Sequence, residues 1–132
     1  MTLAPNRVAA SQEDIDAVRQ AALDYIEGYV QGDATRHARA YHPECTKRRF
    51  IVDDETGVVE LSVLSPRVMI DYAAVVGSRH ADATWEIIVD DIYGSMASVR
   101  VYSSRWVDFL HVVKARGEWK LFHVTWLNRA DD

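Results

Sequence analysis

Between Ala83 and Leu127 the chain runs through four strand-like stretches separated by short turn signals, and this feature most narrows the folds open to it. The stretches are Ala83 to Tyr93, Met96 to about Ser103, Arg105 to Lys114, and Trp119 to Leu127. Gly94-Ser95 and Ala115-Arg116-Gly117-Glu118 mark tight turns between them. Strands that follow one another across such turns pair antiparallel, so this third of the chain predicts a meander and disfavours a parallel βαβ fold.

The first half reads differently. Ser11 opens Ser-Gln-Glu-Asp, where the serine hydroxyl can accept a helical N–H and the acids sit at the positive end of the helix dipole. Ile15, Val18, Ala22, Tyr25, Ile26 and Tyr29 then recur at steps of three and four, which predicts an amphipathic helix to about Val30, stopped by Gly32. Asp33 caps a short second helix from Ala34 to about Tyr41, because Pro43 disfavours helical geometry at His42. Cys45 to Val52 and Val58 to Leu64 are β-rich and flank Asp53-Asp54-Glu55-Thr56-Gly57, a hairpin signature. Ser65-Pro66 begins a third helix that lasts to Gly77. The order predicts an α+β domain with helices on one face of an antiparallel sheet over residues 11–129, and residues 1–10 as a disordered or extended segment.

With 132 residues the chain makes one domain, large enough for a core and a small pocket. Fifteen Lys and Arg against twenty Asp and Glu give a net charge of −5, which argues against nucleic acid as a partner. The one basic run, Lys47-Arg48-Arg49, reads as a solvated strand end. The start lacks an apolar run of signal-peptide length and no stretch is apolar enough to span a membrane, so a cytoplasmic protein with no membrane partner is expected. The single cysteine, Cys45, excludes an internal disulfide and reads as packed. No metal-ligand spacing and no phosphate-binding glycine loop occurs, so neither a metal nor another cofactor is expected.

Five stretches stand together in this chain: Ala22-Leu23-Asp24-Tyr25-Ile26-Glu27-Gly28-Tyr29, Gly32-Asp33-Ala34, Tyr41-His42-Pro43, Val107-Asp108-Phe109-Leu110 and Gly117-Glu118-Trp119-Lys120-Leu121. Through them nearly the whole chain resembles the nuclear transport factor 2-like superfamily, which includes the SnoaL-like cyclases, scytalone dehydratase and ketosteroid isomerase. Within it the chain is similar to the group named putative lumazine-binding. The resemblance implies three helices on a strongly curved sheet, a pocket between the first helix and the concave face, and commonly a homodimer through the outer face. On the last strand Phe122, Val124 and Trp126 share a side by alternation, and that apolar patch suits a dimer contact.

Asp108 is the most informative residue, a carboxylate inside the apolar run Trp106-Val107-Asp108-Phe109-Leu110. Buried alone it would cost several kcal/mol, so it is exposed, paired with Arg100 or Arg105, or functional. On a concave face, desolvation would raise its pKa and suit it to accept a proton or anchor a polar ligand. Tyr25 and Tyr29 stand i, i+4 on the first helix and can aim two hydroxyls at a pocket; the alternative is plain core packing, which is also expected of Tyr72. Alternation puts His111 on the face opposite Asp108 and makes His123 its better companion, unless a bulge intervenes. His42 is expected to serve local backbone hydrogen bonding.

The expectation is a small-molecule-binding protein whose apolar pocket takes a planar or cyclic ligand, lined by Tyr25, Tyr29, Trp85, Trp106, Asp108 and His123. One alternative is an isomerase, cyclase or dehydratase in which Asp108 or His123 moves a proton and Tyr25 stabilises an oxyanion. Another is a noncatalytic dimerisation module with a filled cavity.

Overall fold

The computed structural model describes residues 10–129. In chain order come α1 (Gln12–Val30), α2 (Ala34–Arg39), β1 (Tyr41–Val52), β2 (Val59–Leu64), α3 (Pro66–Val76), a short 3-10 helix (Gly77–His80), β3 (Trp85–Tyr93), β4 (Met96–Ser103), β5 (Trp106–Ala115) and β6 (Glu118–Asn128). The expectation for residues 1–10 falls outside the described residues except at Ala10, which packs against the core.

Each α-helix starts where a side chain satisfies an otherwise orphaned backbone N–H. Ser11 Oγ accepts from Asp14 at 3.1 Å, Asp33 Oδ1 from Arg36 at 3.0 Å, and Ser65 Oγ from Val68 at 3.2 Å. The β5–β6 hairpin turns on two residues, Arg116 at φ 54° and Gly117 at φ 81°, both left-handed as the tightest hairpin turn requires. The second helix is shorter than its sequence suggests and β1 starts at Tyr41 rather than Cys45. The cause lies far along the chain: Tyr41 pairs with Leu121, and the Leu121 N–H donates to the Ala40 carbonyl at 2.8 Å, drawing this segment into extended geometry.

The six strands form one sheet in the order β2-β1-β6-β5-β4-β3. The β1–β2 hairpin and the β3 to β6 meander are antiparallel, but β1 joins β6 in parallel, so the sheet is mixed rather than wholly antiparallel. That one pairing welds two locally formed units and covers what would otherwise be a bare edge of β6.

The inner face of the sheet packs on α1. Val18, Ala22, Tyr25, Ile26 and Val30 meet Val99, Val101, Leu110, Val112, Leu121 and Val124, all buried in one cluster. Two close backbone approaches set the helices. A Cβ on Gly28 would lie 2.8 Å from the His37 nitrogen, and one on Gly77 would lie 2.1 Å from the Tyr29 carbonyl oxygen. Gly77→Ala must therefore push α3 off the end of α1. It should lower stability by about 1–3 kcal/mol, the usual range for overpacking. A urea midpoint displaced without change of slope would show it, and an unchanged midpoint would contradict the contact.

A bulge in β6 corrects the expected strand parity. His111 pairs with His123 and the next residue, Val112, pairs with Leu121, which leaves Phe122 without an opposite number. Leu121 and Val124 therefore both point inward, at 0% and 1% exposure, although they are three residues apart. The expected apolar patch of Phe122, Val124 and Trp126 on one outer face does not form.

Candidate functional site

A cavity of about 320 Å³ opens between α1, α3 and the β1, β2, β5 and β6 end of the sheet. Helical spacing brings Tyr25 and Tyr29 of α1 to it on one stripe. Strand alternation brings Lys47 and Arg49 of β1, and Trp106 and Asp108 of β5. Trp126 arrives from β6, past the bulge, while Ser62, Leu64, Met69, Tyr72 and Val76 close the side formed by β2 and α3.

The polar centre is a chain of three side chains. Lys47 Nζ donates to the Tyr25 hydroxyl at 2.6 Å, and that hydroxyl donates to Asp108 Oδ2 at 2.5 Å. Lys47 stands 4.0 Å from the same carboxylate oxygen. All three are buried, with exposures of 7% for Lys47, 3% for Tyr25 and 2% for Asp108. Burial drives the Asp108 pKa upward against the opposing pull of Lys47 and the Tyr25 hydrogen bond. It drives Lys47 downward against the attraction of Asp108, and lifts Tyr25 well above the usual phenol range. The Lys47 ammonium also lies 4.9 Å from the centre of the Trp126 ring, whose face the Arg49 guanidinium covers at 4.2 Å.

Tyr25 is held from behind. His37, fully buried, donates from Nδ1 to the Tyr25 carbonyl at 2.7 Å, so its Nε2 accepts from the Tyr41 hydroxyl at 2.9 Å. The imidazole stacks on the Tyr25 ring at 5.4 Å, and desolvation lowers its pKa to about 4, which keeps it neutral at pH 7. Cys45, also buried, has its thiol pushed up to about 12 and is a packed residue, not a nucleophile.

Three buried polar atoms make no hydrogen bond within the described residues: Asp108 Oδ1, Arg49 Nε and Trp126 Nε1. All three residues line this cavity. Buried polar groups are otherwise almost always satisfied, so an acceptor and two donors left unpaired on three residues of one cavity lining stand out.

Of the residues expected to form a pocket, Tyr25, Tyr29, Trp106 and Asp108 lie together here. His123 does not. The β6 bulge turns it to the outer face, where it hydrogen-bonds Thr46 Oγ1 at 3.0 Å and its ring lies 6.1 Å from that of His111. Trp85 lines a separate depression with Arg100 and Tyr102. Neither expected arginine neutralises Asp108, since Arg100 pairs with Asp90, the extra residue of a bulge in β3, and Arg105 pairs with Asp82. Tyr72, expected in the core, is 47% exposed at the cavity rim.

The sequence does not mark Lys47, Arg49 and Trp126 as cavity residues. Cys45, Lys47 and Arg49 alternate, which places them on one face of β1, but the tripeptide Lys47-Arg48-Arg49 looks like surface when read as a run. Among the described residues no three His, Cys, Asp or Glu side chains come together as a metal site would need, and no helix is long and apolar enough to cross a membrane.

Helices laid on the inner face of a curved six-stranded sheet, with a cavity at one end, define a nuclear transport factor 2-like α+β protein, and solved structures bear this out. A nuclear transport factor 2-like protein from Shewanella baltica superposes with a TM-score of 0.77 at 21% identity, covering 94% of this chain and 100% of that one. One from Methylobacillus flagellatus gives 0.77 at 21% identity, covering 94% and 98%. A ketosteroid isomerase-like protein from Erwinia carotovora atroseptica gives 0.65 at 15% identity, covering 92% and 100%. The chain belongs to the family described as Putative lumazine-binding, whose pattern matches residues 13–127. No curated protein matches it.

Proposed function

We propose that the protein binds a planar, cyclic small molecule in the cavity beside Tyr25, with the ligand's polar edge directed at Asp108, Arg49 and Trp126. The observation that carries this reading is that the three residues with unsatisfied buried side-chain atoms all line one cavity. Each such atom left without a partner costs about 1–3 kcal/mol, which a ligand of complementary edge would offset. The matching edge has a hydrogen-bond donor for Asp108 Oδ1 next to acceptors for Trp126 Nε1 and Arg49 Nε. A lactam or imide ring presents that pattern, and lumazine, from which the family takes its description, is a ring system of this kind. Tyr29 and Trp106, edge to face at 5.6 Å, supply aromatic wall for the ring body. The volume is at the small end of ligand pockets and suits a two- or three-ring compound.

A thermal-shift and calorimetric panel of lumazine, flavin, steroid and polyketide-like aromatics tests this. Lumazine-type rings should stabilise the protein by about 2.7 kcal/mol at 100 times their Kd. Trp126→Phe should weaken binding about 3- to 10-fold, the worth of one neutral hydrogen bond, and Asp108→Asn by more. If nothing in the panel binds and the variants change only stability, the cavity is not a binding site for this class.

A second reading, proton transfer, is favoured by one further fact: Asp108, whose pKa burial raises, is a residue of the cavity lining with one carboxyl oxygen that makes no hydrogen bond among the described residues. In an isomerase or dehydratase Asp108 would take the proton, with Tyr25 and Lys47 facing the developing negative charge. His123 is placed too far round the sheet to share that work. The open cavity weighs against a purely noncatalytic dimerisation module. A homodimer remains part of the proposal, because Met96, Phe109 and Leu127 lie exposed on the outer sheet face, where a second copy would cover them.

A further inference from the structure

We propose that Lys47 forms a Schiff base with aldehydes or ketones that enter the cavity, because a buried primary amine stands there in a hydrogen-bonded line with a phenol and a carboxyl. The inference rests on reading the cavity as a ligand site, and adds a covalent chemistry to it.

An amine attacks a carbonyl only when unprotonated, and an ordinary surface lysine is almost wholly ammonium at neutral pH. Lys47 differs in three respects. It is buried, its hydrogen-bond acceptor among the described residues is the Tyr25 hydroxyl, and Asp108 lies beyond that hydroxyl rather than in direct contact. The Tyr25 oxygen can take a proton from Lys47 while its own passes to Asp108 Oδ2, over contacts of 2.6 and 2.5 Å. The line then holds a neutral amine and a neutral carboxylic acid. Burial displaces Lys47 downward and Asp108 upward, each toward its uncharged form, which brings this arrangement within reach of the ion pair.

The step balances without an added oxidant or reductant. The Lys47 nitrogen lone pair forms the C–N bond, the carbonyl π pair moves to oxygen, and a proton passes from nitrogen to that oxygen to give the carbinolamine. Asp108, as the acid, then protonates the hydroxyl, which leaves as water while nitrogen forms the C=N bond. The product is a protonated imine beside the Asp108 carboxylate, an ion pair of the same charge as the ammonium and carboxylate before reaction. The Trp126 face, 4.9 Å from the nitrogen, favours a cation there.

The other lysines lack this setting. Lys114 is held by Asp14 at 3.1 Å on a side chain 39% exposed, and Lys120 donates to the Arg39 carbonyl at 2.6 Å. Groups that bear on the charge of Lys47 are Asp108 on β5, Tyr25 on α1, Cys45 and Arg49 on β1, and His37 on α2.

The test incubates the full chain at pH 7 with 2-naphthaldehyde and sodium cyanoborohydride and maps the labelled peptides by mass spectrometry. The reduced adduct adds the mass of the aldehyde less one oxygen. Lys47 should be labelled at least about tenfold faster than Lys114 and Lys120, a modest margin for a carbonyl held against its nucleophile. Lys47→Arg should abolish that fast label and leave the slow ones, and Tyr25→Phe should slow it selectively. In parallel, 2-naphthalenemethanol, which has the same rings and no carbonyl, is followed by quenching of tryptophan fluorescence. Binding of the alcohol without preferential labelling of Lys47 overturns the covalent step and leaves the binding site standing. Neither binding nor labelling overturns both. The peptide map of the unmodified chain decides the matter even where a variant fails to fold.

Discussion

Lys47→Met should lower stability by about 3 kcal/mol or more at pH 8, and by clearly less at pH 5. Removing one partner of a buried charge pair leaves the other uncompensated, and such single deletions commonly cost about 3–5 kcal/mol. The pH dependence follows from Asp108. Burial already raises its folded pKa, and without Lys47 the chief opposing influence is gone. A carboxyl whose pKa is higher in the folded than in the unfolded chain makes the folded state bind the proton more readily, so stability rises as pH falls and is lost as pH climbs. Lys47→Met combined with Asp108→Asn should recover most of the loss and flatten the pH response, because the pair is then replaced by groups that carry no charge. Urea titrations of the four proteins of this cycle at pH 5 and pH 8 measure it. Equal losses at both pH values would mean that Asp108 is not left charged and buried.

The second large effect belongs to His37. Its folded pKa of about 4 lies below the ordinary 6.5, a difference worth about 3 kcal/mol for a group fully buried between the Tyr25 carbonyl and the Tyr41 hydroxyl. Because the folded value is depressed, the unfolded chain takes the proton first. The contribution is whole above about pH 6.5, drains away as pH falls toward about 4, and changes no further below that. His37→Asn can still donate to the Tyr25 carbonyl but carries no titration. The difference in stability between the natural chain and this variant should therefore narrow by about 3 kcal/mol from pH 7 to pH 4. Subtracting the two removes Asp108, which acts with the opposite sign, and the carboxylates Asp14, Asp53, Asp82 and Asp90, whose pKa values are lowered and whose influence falls at lower pH. A constant difference would show that His37 titrates near its usual value.

These two effects meet at Tyr25. His37 holds its backbone carbonyl, and Lys47 and Asp108 hold its hydroxyl. The phenol thus joins a buried neutral imidazole behind the cavity to an ionisable pair within it. A ligand that binds Asp108 or reacts at Lys47 alters that pair directly, while acid near pH 4, where the folded imidazole takes a proton, weakens the support from His37.

Asp108 stands out in the sequence for a physical reason: a lone carboxylate in an apolar strand must be satisfied by something, and alternation alone puts it beside Trp106 and Leu110. Lys47 does not stand out, because three basic residues in a row offer no local cue that one of them turns inward. His123 misleads for another reason. Alternation holds until a residue is inserted, and a bulge is a property of how two strands pair, not of the residue that happens to bulge.

What the sequence by itself determined was whatever depends on neighbours in the chain. Helix starts at Ser11, Asp33 and Ser65, the Arg116-Gly117 turn, the amphipathic stripe of α1 and the order of strands all follow from side chains acting on backbone within a few residues. Only the tertiary structure decided the parallel pairing of β1 with β6, the bulge at Phe122, and the union of Lys47 with Asp108 across the Tyr25 hydroxyl. Those depend on contacts between segments tens of residues apart, where the burial of the whole core selects the register. The ladder and the cavity chemistry then follow from that register.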